Sequence, residues 1–238
     1  MSRASAEINL SAISRNLKFI KSQTKAQVLA VVKADAYGRG LIEVAQQVVA
    51  AGADWIGTAL LEEGIQLRKS GISTPIISWM TPIGEDFKTA IELDIDLSIS
   101  SSELLKEIVS AGKAVKKTPR VHIELDTGMN RGGFGDEWSS FLPLLAKSVA
   151  DKEINLIGVW SHFARADEPA EKMNQDQLVE FEKRVEDLKK SGIDFQYCHI
   201  ANSAASLKHS QAHKNIIRWG IGNMAILEIN TVLMKQQS

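Results

Sequence analysis

Apolar residues recur along this chain in short blocks separated by longer amphipathic stretches. The blocks lie near 28–33, 54–59, 75–79, 95–99, 120–126, 154–161, 195–200 and 215–219, and they are rich in Val, Ile and Leu. Runs of this kind read as strands covered on both faces. Segments near 40–51, 60–70, 84–92, 101–112, 137–150, 172–191 and 202–208 carry helical spacing instead. An earlier segment, 11–22, places Ile13, Leu17 and Ile20 on one helical face. Ser101 or Ser102 before Glu103, and Asp136 before Glu137, are candidate N-caps. Gly52, Gly71, Gly112 and Gly192 stand where helices should stop. Eight strands separated by seven helical segments predict a parallel sheet with crossover helices. A closed (β/α)8 barrel of the TIM type, class α/β, is the natural solution. An open doubly wound sheet is the alternative, but no Gly-x-Gly-x-x-Gly follows any strand.

The length of 238 residues fits one barrel. With 44% hydrophobic and 24% charged residues, the chain has the composition of a globular protein with a substantial core. A formal net charge of −1 argues against a nucleic-acid surface or a polybasic membrane patch. No apolar run is long enough for a transmembrane helix. Residues 1–7 lack the apolar segment of a signal peptide. Cys198 is the only cysteine, which excludes an internal disulfide and suggests a reducing, cytoplasmic setting.

A barrel gathers its chemistry at the C-terminal ends of its strands. Five polar clusters follow strand-like runs: Lys33–Gly38, Asp126–Gly133, Ser161–Asp167, His199–Ala205 and Arg218–Gly222. Each alone has an ordinary explanation, since glycine-rich turns close loops and His or Arg often end strands. Their joint placement at one mouth is the stronger signal. Lys33 ends an apolar run, and burying an ammonium among apolar residues favours the neutral amine that a Schiff base needs. Asn202-Ser203-Ala204 opens a helix, where hydroxyl and backbone N–H groups face an anion. Gly220 and Ile221 add further N–H donors, and barrels often hold phosphate at their last two loops. A phosphate site, a Schiff-base lysine and a nearby arginine suit pyridoxal 5′-phosphate. No metal site is expected. His209 and His213 have i, i+4 spacing but no third ligand nearby, and read as a surface pair. Cys198 reads as a buried structural thiol, and the charged segment 172–191 as a solvated barrel exterior.

From Leu10 to about Gly222 the chain resembles the N-terminal barrel domain of alanine racemase, a fold-type III pyridoxal-phosphate enzyme. The matching pieces are Val32–Gly38, Asp126–Arg131, Ser161–Ala164, His199–Ala205 and Arg218–Ile221. The resemblance implies a racemase interconverting L- and D-alanine, with D-alanine feeding bacterial cell-wall synthesis. It implies that Lys33 binds the cofactor covalently and serves as one of two catalytic bases. Tyr37, Ser203 and the amides of Gly220 and Ile221 would hold the phosphate. Arg218 would meet the pyridine nitrogen, supported by His162. Arg131 would lie near the phenolic oxygen and the substrate carboxylate, and Asn202 would orient its neighbours. Glu124 stands where many family members carry a carbamylated lysine, and is expected to pair with Arg131.

The family continues into a β-rich C-terminal domain that carries the second base, a tyrosine, into the site of the other subunit of a homodimer. This chain has two tyrosines, Tyr37 and Tyr197, and neither occupies that position. Asn223-Met224-Ala225 replaces the family's usual Tyr-Gly. The expected organisation is a barrel over 1–224 and an atypical tail over 225–238, as in a truncated or frame-shifted product. Three other readings stay open: a racemase of another amino acid such as serine, a non-catalytic cofactor-binding barrel, and an unstable fragment without function.

Overall fold

Every apolar block becomes a strand of one parallel sheet. The computed structural model describes residues 7–224; the expected tail over 225–238 lies outside them. The strands are β1 (Gln27–Val31), β2 (Trp55–Leu60), β3 (Ile76–Met80), β4 (Ile95–Ile99), β5 (Arg120–Glu124), β6 (Asn155–Trp160), β7 (Tyr197–His199) and β8 (Ile216–Trp219). Their order is β7-β6-β5-β4-β3-β2-β1-β8. The gap between β7 and β8 is bridged by Asn215, whose amide donates to the Cys198 carbonyl and whose side-chain oxygen accepts from the Cys198 amide, and by Arg218 N–H on the Ala201 carbonyl. The result is a nearly closed (β/α)8 barrel.

Helices α1 (Leu10–Ser22), α3 (Leu41–Ala50), α4 (Leu61–Lys69), α5 (Phe87–Glu92), α6 (Ser102–Val115), α7 (Trp138–Ala150), α8 (Lys172–Lys190) and α9 (Ser203–Lys208) surround it, with the short α2 (Lys33–Gly38) and α10 (Ile221–Met224) at the mouth. α1 buries Ala12, Ile13, Leu17 and Ile20. Ser101 caps α6, its Oγ accepting from Leu104 N–H. Two boundary expectations fail. α7 starts after Glu137 with no side-chain cap, so Asp136 does not serve. Gly112 lies inside α6, which runs on to a left-handed Lys116. A Cβ at 112 would sit 2.7 Å from the Pro119 ring, so this glycine serves close packing and not a helix stop.

The turn after Lys33, α2, is left-handed, which residue type did not foretell. Ala34, Asp35, Ala36 and Tyr37 have φ of 53°, 54°, 51° and 57°. Several contacts hold it. Asp35 Oδ1 accepts from Leu41 N–H at 2.7 Å, and Glu63 reaches over from α4 to accept from Asp35 N–H. Glu63 also accepts from the amides of Ala59 and Leu60, tying the turn to the end of β2. Left-handed geometry costs about 1–2 kcal/mol per non-glycine residue, and glycine's greater freedom in the unfolded chain offsets about 0.5–1 of that. Ala34 is exposed, so Ala34→Gly is expected to stabilise the fold by about 0.5–1 kcal/mol. A urea midpoint equal to or below that of the native chain would contradict this.

Candidate active site

A cavity of about 310 Å³ opens at the C-terminal ends of the strands. Lys33 and Tyr37 reach it from the end of β1 and from α2, Arg131 from the loop after β5, and His162 from the loop after β6. Asn202 and Ser203 line it at the start of α9; Arg218, Gly220 and Ile221 do so at the end of β8. Nine of the ten site residues singled out from the sequence therefore meet in one cavity, and Glu124 is the one that does not line it. Lys33 is only partly buried, against the expected fully apolar surroundings, and its amine makes no hydrogen bond among the described residues.

One end of the cavity is built for an anion. The Tyr37 hydroxyl lies against Gly220, where a Cβ would sit 2.3 Å from it, so any larger residue there would push the hydroxyl from its place. Burial raises the Tyr37 pKa, which keeps the phenol a hydrogen-bond donor. Ser203 Oγ accepts from Gly220 N–H at 3.0 Å and from Gly222 N–H at 3.3 Å, leaving its own O–H to donate. The Gly220 amide thus acts on the serine hydroxyl. Asn202 is the N-cap of α9, its Oδ1 accepting from Ala205 N–H at 3.0 Å.

The other end is organised by Arg218, which is buried inside the barrel. Its Nη1 donates to the carbonyl of His199 at 3.0 Å and faces His199 Nδ1 at 3.1 Å. Its Nη2 donates to Ser161 O at 2.7 Å and Ile200 O at 3.2 Å, and faces His162 Nδ1 at 3.1 Å. The Nε–H has no acceptor among the described residues and is the donor left for a ligand. Trp160 packs on this group, with the guanidinium carbon 5.1 Å from its ring centroid. Burial lowers the Arg218 pKa to about 9, so it remains cationic at neutral pH. Burial, together with the charge of Arg218, lowers that of His162 to about 3, which makes His162 a neutral acceptor.

A profile of the alanine racemase N-terminal domain matches residues 8–225. The chain belongs to the alanine racemase N-terminal domain family. It is 40% identical over 228 residues to the alanine racemase of Thermobifida fusca, covering 95% of this chain and 61% of that protein. It is 35% identical to that of Mycobacterium avium, covering 92% and 57% of the two chains. Among solved structures, alanine racemase from D-cycloserine-producing Streptomyces lavendulae superposes with a TM-score of 0.89 at 35% identity, covering 91% of this chain and 57% of that one. The chain thus spans about three fifths of the length of these alanine racemases.

Glu124 departs from its expected role. It makes no ion pair with Arg131 among the described residues; the Arg131 guanidinium, facing the main cavity, acts on it at longer range. Burial dominates and raises the Glu124 pKa from 4.5 to about 7. An acid with a raised folded-state pKa binds its proton more tightly folded than unfolded, so its contribution to stability falls as pH rises from 4.5 to about 7. Glu124→Gln should therefore gain stability relative to the native chain between about pH 5 and about pH 8, by roughly 1 kcal/mol after solvent screening. Melting temperatures of both chains at the two pH values test this; a constant gap would refute it.

Some residues outside the cavity also differ from expectation. His209 is buried and bonds to Ala166 O, and His213 contacts Thr24 Oγ1 and Ser206 O, so they are structural ties and not a surface pair. No cluster of metal-ligating side chains occurs among the described residues. Cys198 is part-buried, and burial raises its pKa to about 11, so it is no nucleophile at neutral pH. α8 is not wholly solvated. Its Gln177 is buried, donates to Thr127 Oγ1 and His162 O, and accepts from Ala164 N–H, bracing two site loops. Nothing in the sequence marks this glutamine among so many polar neighbours. No helix of the described residues is long and apolar enough to cross a membrane.

Proposed function

We propose that this chain is the cofactor-binding barrel of a bacterial, cytoplasmic alanine racemase that interconverts L- and D-alanine with pyridoxal 5′-phosphate and supplies D-alanine for the cell wall. The observation that carries the proposal is the complementarity of the cavity's two ends. Two hydroxyl donors, on Tyr37 and Ser203, stand at one end, and the single free N–H of a caged arginine stands at the other. This donor set fits a phosphate ester at one end and a pyridine nitrogen, a neutral acceptor, at the other.

When bound, pyridoxal phosphate supplies a carbonyl that an amine attacks and a conjugated ring that draws electrons from Cα. Among the described residues Lys33 is the only lysine lining the cavity, and it is assigned the covalent link. Its amine then takes and returns the Cα proton on one face. The Arg218 guanidinium is a fixed cation, and beside the ring nitrogen it disfavours a second positive charge there. That restrains charge build-up on the ring and suits a reaction that only exchanges a proton. His162 holds Arg218, and Asn202 Nδ2 lies 3.5 Å from His162 Nε2 on the far side of that ring. Arg131, on the cavity wall, is assigned the substrate carboxylate.

The second base lies elsewhere. The chain's two tyrosines are taken: Tyr37 stands against Gly220, and Tyr197 packs edge-on to Trp55 at the start of β2. The proposed source is the tyrosine that, in the family the chain resembles, a further domain brings in from the partner subunit. The alternative of a cofactor-binding barrel without racemase activity gains its support from the same observation. Incubating the cofactor-loaded protein with L-alanine in heavy water separates the readings. Deuteration at Cα with inversion supports racemisation. Deuteration with retention means Lys33 works alone on one face. No deuteration with cofactor bound leaves the non-catalytic reading.

A further inference from the structure

The barrel interior contains a line of polar side chains that the cavity does not include. In TIM barrels this space is ordinarily filled by bulky branched apolar residues. Here Arg120 and Asp96, near the N-terminal ends of β5 and β4, connect through His122 and His199 to Arg218 near the mouth. Asp96, His122 and His199 are all buried. Gly158 makes room for the line, because a Cβ there would sit 2.8 Å from His122 Nδ1.

The two ends dictate the protons between them. Guanidinium nitrogens only donate, and an ionised carboxylate only accepts. His199 Nδ1, 3.1 Å from Arg218 Nη1, must therefore be an acceptor, and the His199 proton sits on Nε2. His199 Nε2 lies 3.1 Å from His122 Nδ1, which must accept in turn. His122 then carries its proton on Nε2, 3.2 Å from Asp96 Oδ2. The opposite tautomer of His122 would set two N–H groups against each other and a lone pair against the carboxylate. Arg120 secures Asp96 from the outer side, with Nε at 2.6 Å and Nη2 at 3.1 Å from its two oxygens. Burial and the charge of Arg218 keep His199 neutral, consistent with this arrangement.

We infer that Asp96 and His122 are positioning residues for Arg218: the buried carboxylate anchors the far end of a one-way chain of hydrogen bonds that holds the His199 ring, and thereby the orientation of the guanidinium. Aligned bonds polarise one another, so the Asp96 charge strengthens the acceptor that His199 offers. The consequence for a cofactor rests on the reading of the cavity as a pyridoxal-phosphate site; the tautomer assignment does not.

The test is long-range 15N–1H correlation of the histidine rings in the full chain. Both His122 and His199 are expected to show a protonated Nε2 and an unprotonated Nδ1. A proton on Nδ1 of either ring overturns the inference and needs no variant to see. In Asp96→Asn the Arg218 end still sets the direction of the bonds, but the carboxylate that anchors the His122 Nε2–H is gone, so the His122 Nε2 resonance should shift. The dissociation constant for added pyridoxal phosphate should rise on the order of tenfold, the low end of the scale found when an outer hydrogen-bond partner of a metal ligand is removed. An unchanged His122 Nε2 resonance, or a shifted resonance with unchanged cofactor affinity, would overturn the positioning role. Arg120→Gln, which keeps the carboxylate, should preserve both tautomers. If the native chain binds no pyridoxal phosphate, the proposed function fails, while the ring spectra still decide the role of Asp96 in orienting the chain.

Discussion

Lys33→Ala is expected to abolish covalent attachment of pyridoxal phosphate, read by mass after borohydride reduction, and to lower Cα proton exchange by about 10³-fold. Both losses follow from one group. Among the described residues Lys33 is the sole lysine on the cavity wall, so none of them replaces its amine for attachment or proton transfer. The fold should barely change. The side chain is partly exposed and makes no hydrogen bond among the described residues, so stability should stay within about 0.5 kcal/mol of the native chain. The anion end is untouched, so the cofactor should still bind without a covalent link, held by Tyr37 and Ser203. A reduced adduct that survives in Lys33→Ala would move the covalent link to another residue and overturn the assignment.

Arg218→Ala should behave in the opposite way, with a large cost in stability as well as in cofactor binding. Arg218 satisfies three carbonyl oxygens and two imidazole nitrogens inside the barrel. Truncation strands these acceptors where water enters poorly, and buried polar groups without partners are costly. A loss of about 3–5 kcal/mol in denaturant unfolding is expected, the scale found when a buried charged group is removed from its partners. Arg218→Lys should rescue little, because an ammonium lacks the planar fork that reaches carbonyls on both sides. A loss below about 1 kcal/mol in Arg218→Ala would mean that the cage around Arg218 contributes little to the fold.

The alternation of apolar blocks with amphipathic stretches was enough to read the architecture. Buried parallel strands need continuous apolar runs, and the crossover between them needs a helix, so element type and order are local properties of the chain. The mouth residues were legible for a related reason. Barrel chemistry sits at the C-terminal strand ends, and Lys33, Arg131, His162, Asn202 and Arg218 all follow an apolar run.

What sequence spacing did not contain was the pairing between distant strands. His122 and Asp96 are 26 residues apart and read as ordinary polar interruptions of their strands. Only closure of the barrel places both side chains inside and makes them partners of His199 and Arg218. Gln177 and Glu63 were silent for the same reason, since each braces a loop that the fold brings to it. The left-handed turn at Ala34–Tyr37 was hidden too, because its residues have no intrinsic preference for that geometry and contacts from Glu63 and Leu41 hold it. Glu124 was placed on the right strand and beside the right cation, but the distance to Arg131, which leaves them without a direct ion pair, is set by the path of the 126–133 loop, a tertiary property. Strands, helices and the residues at the mouth follow from the order of residues, because hydrophobic period and strand ends are written locally. The tertiary structure alone decided which buried polar groups meet, and with them the direction of every hydrogen bond behind Arg218.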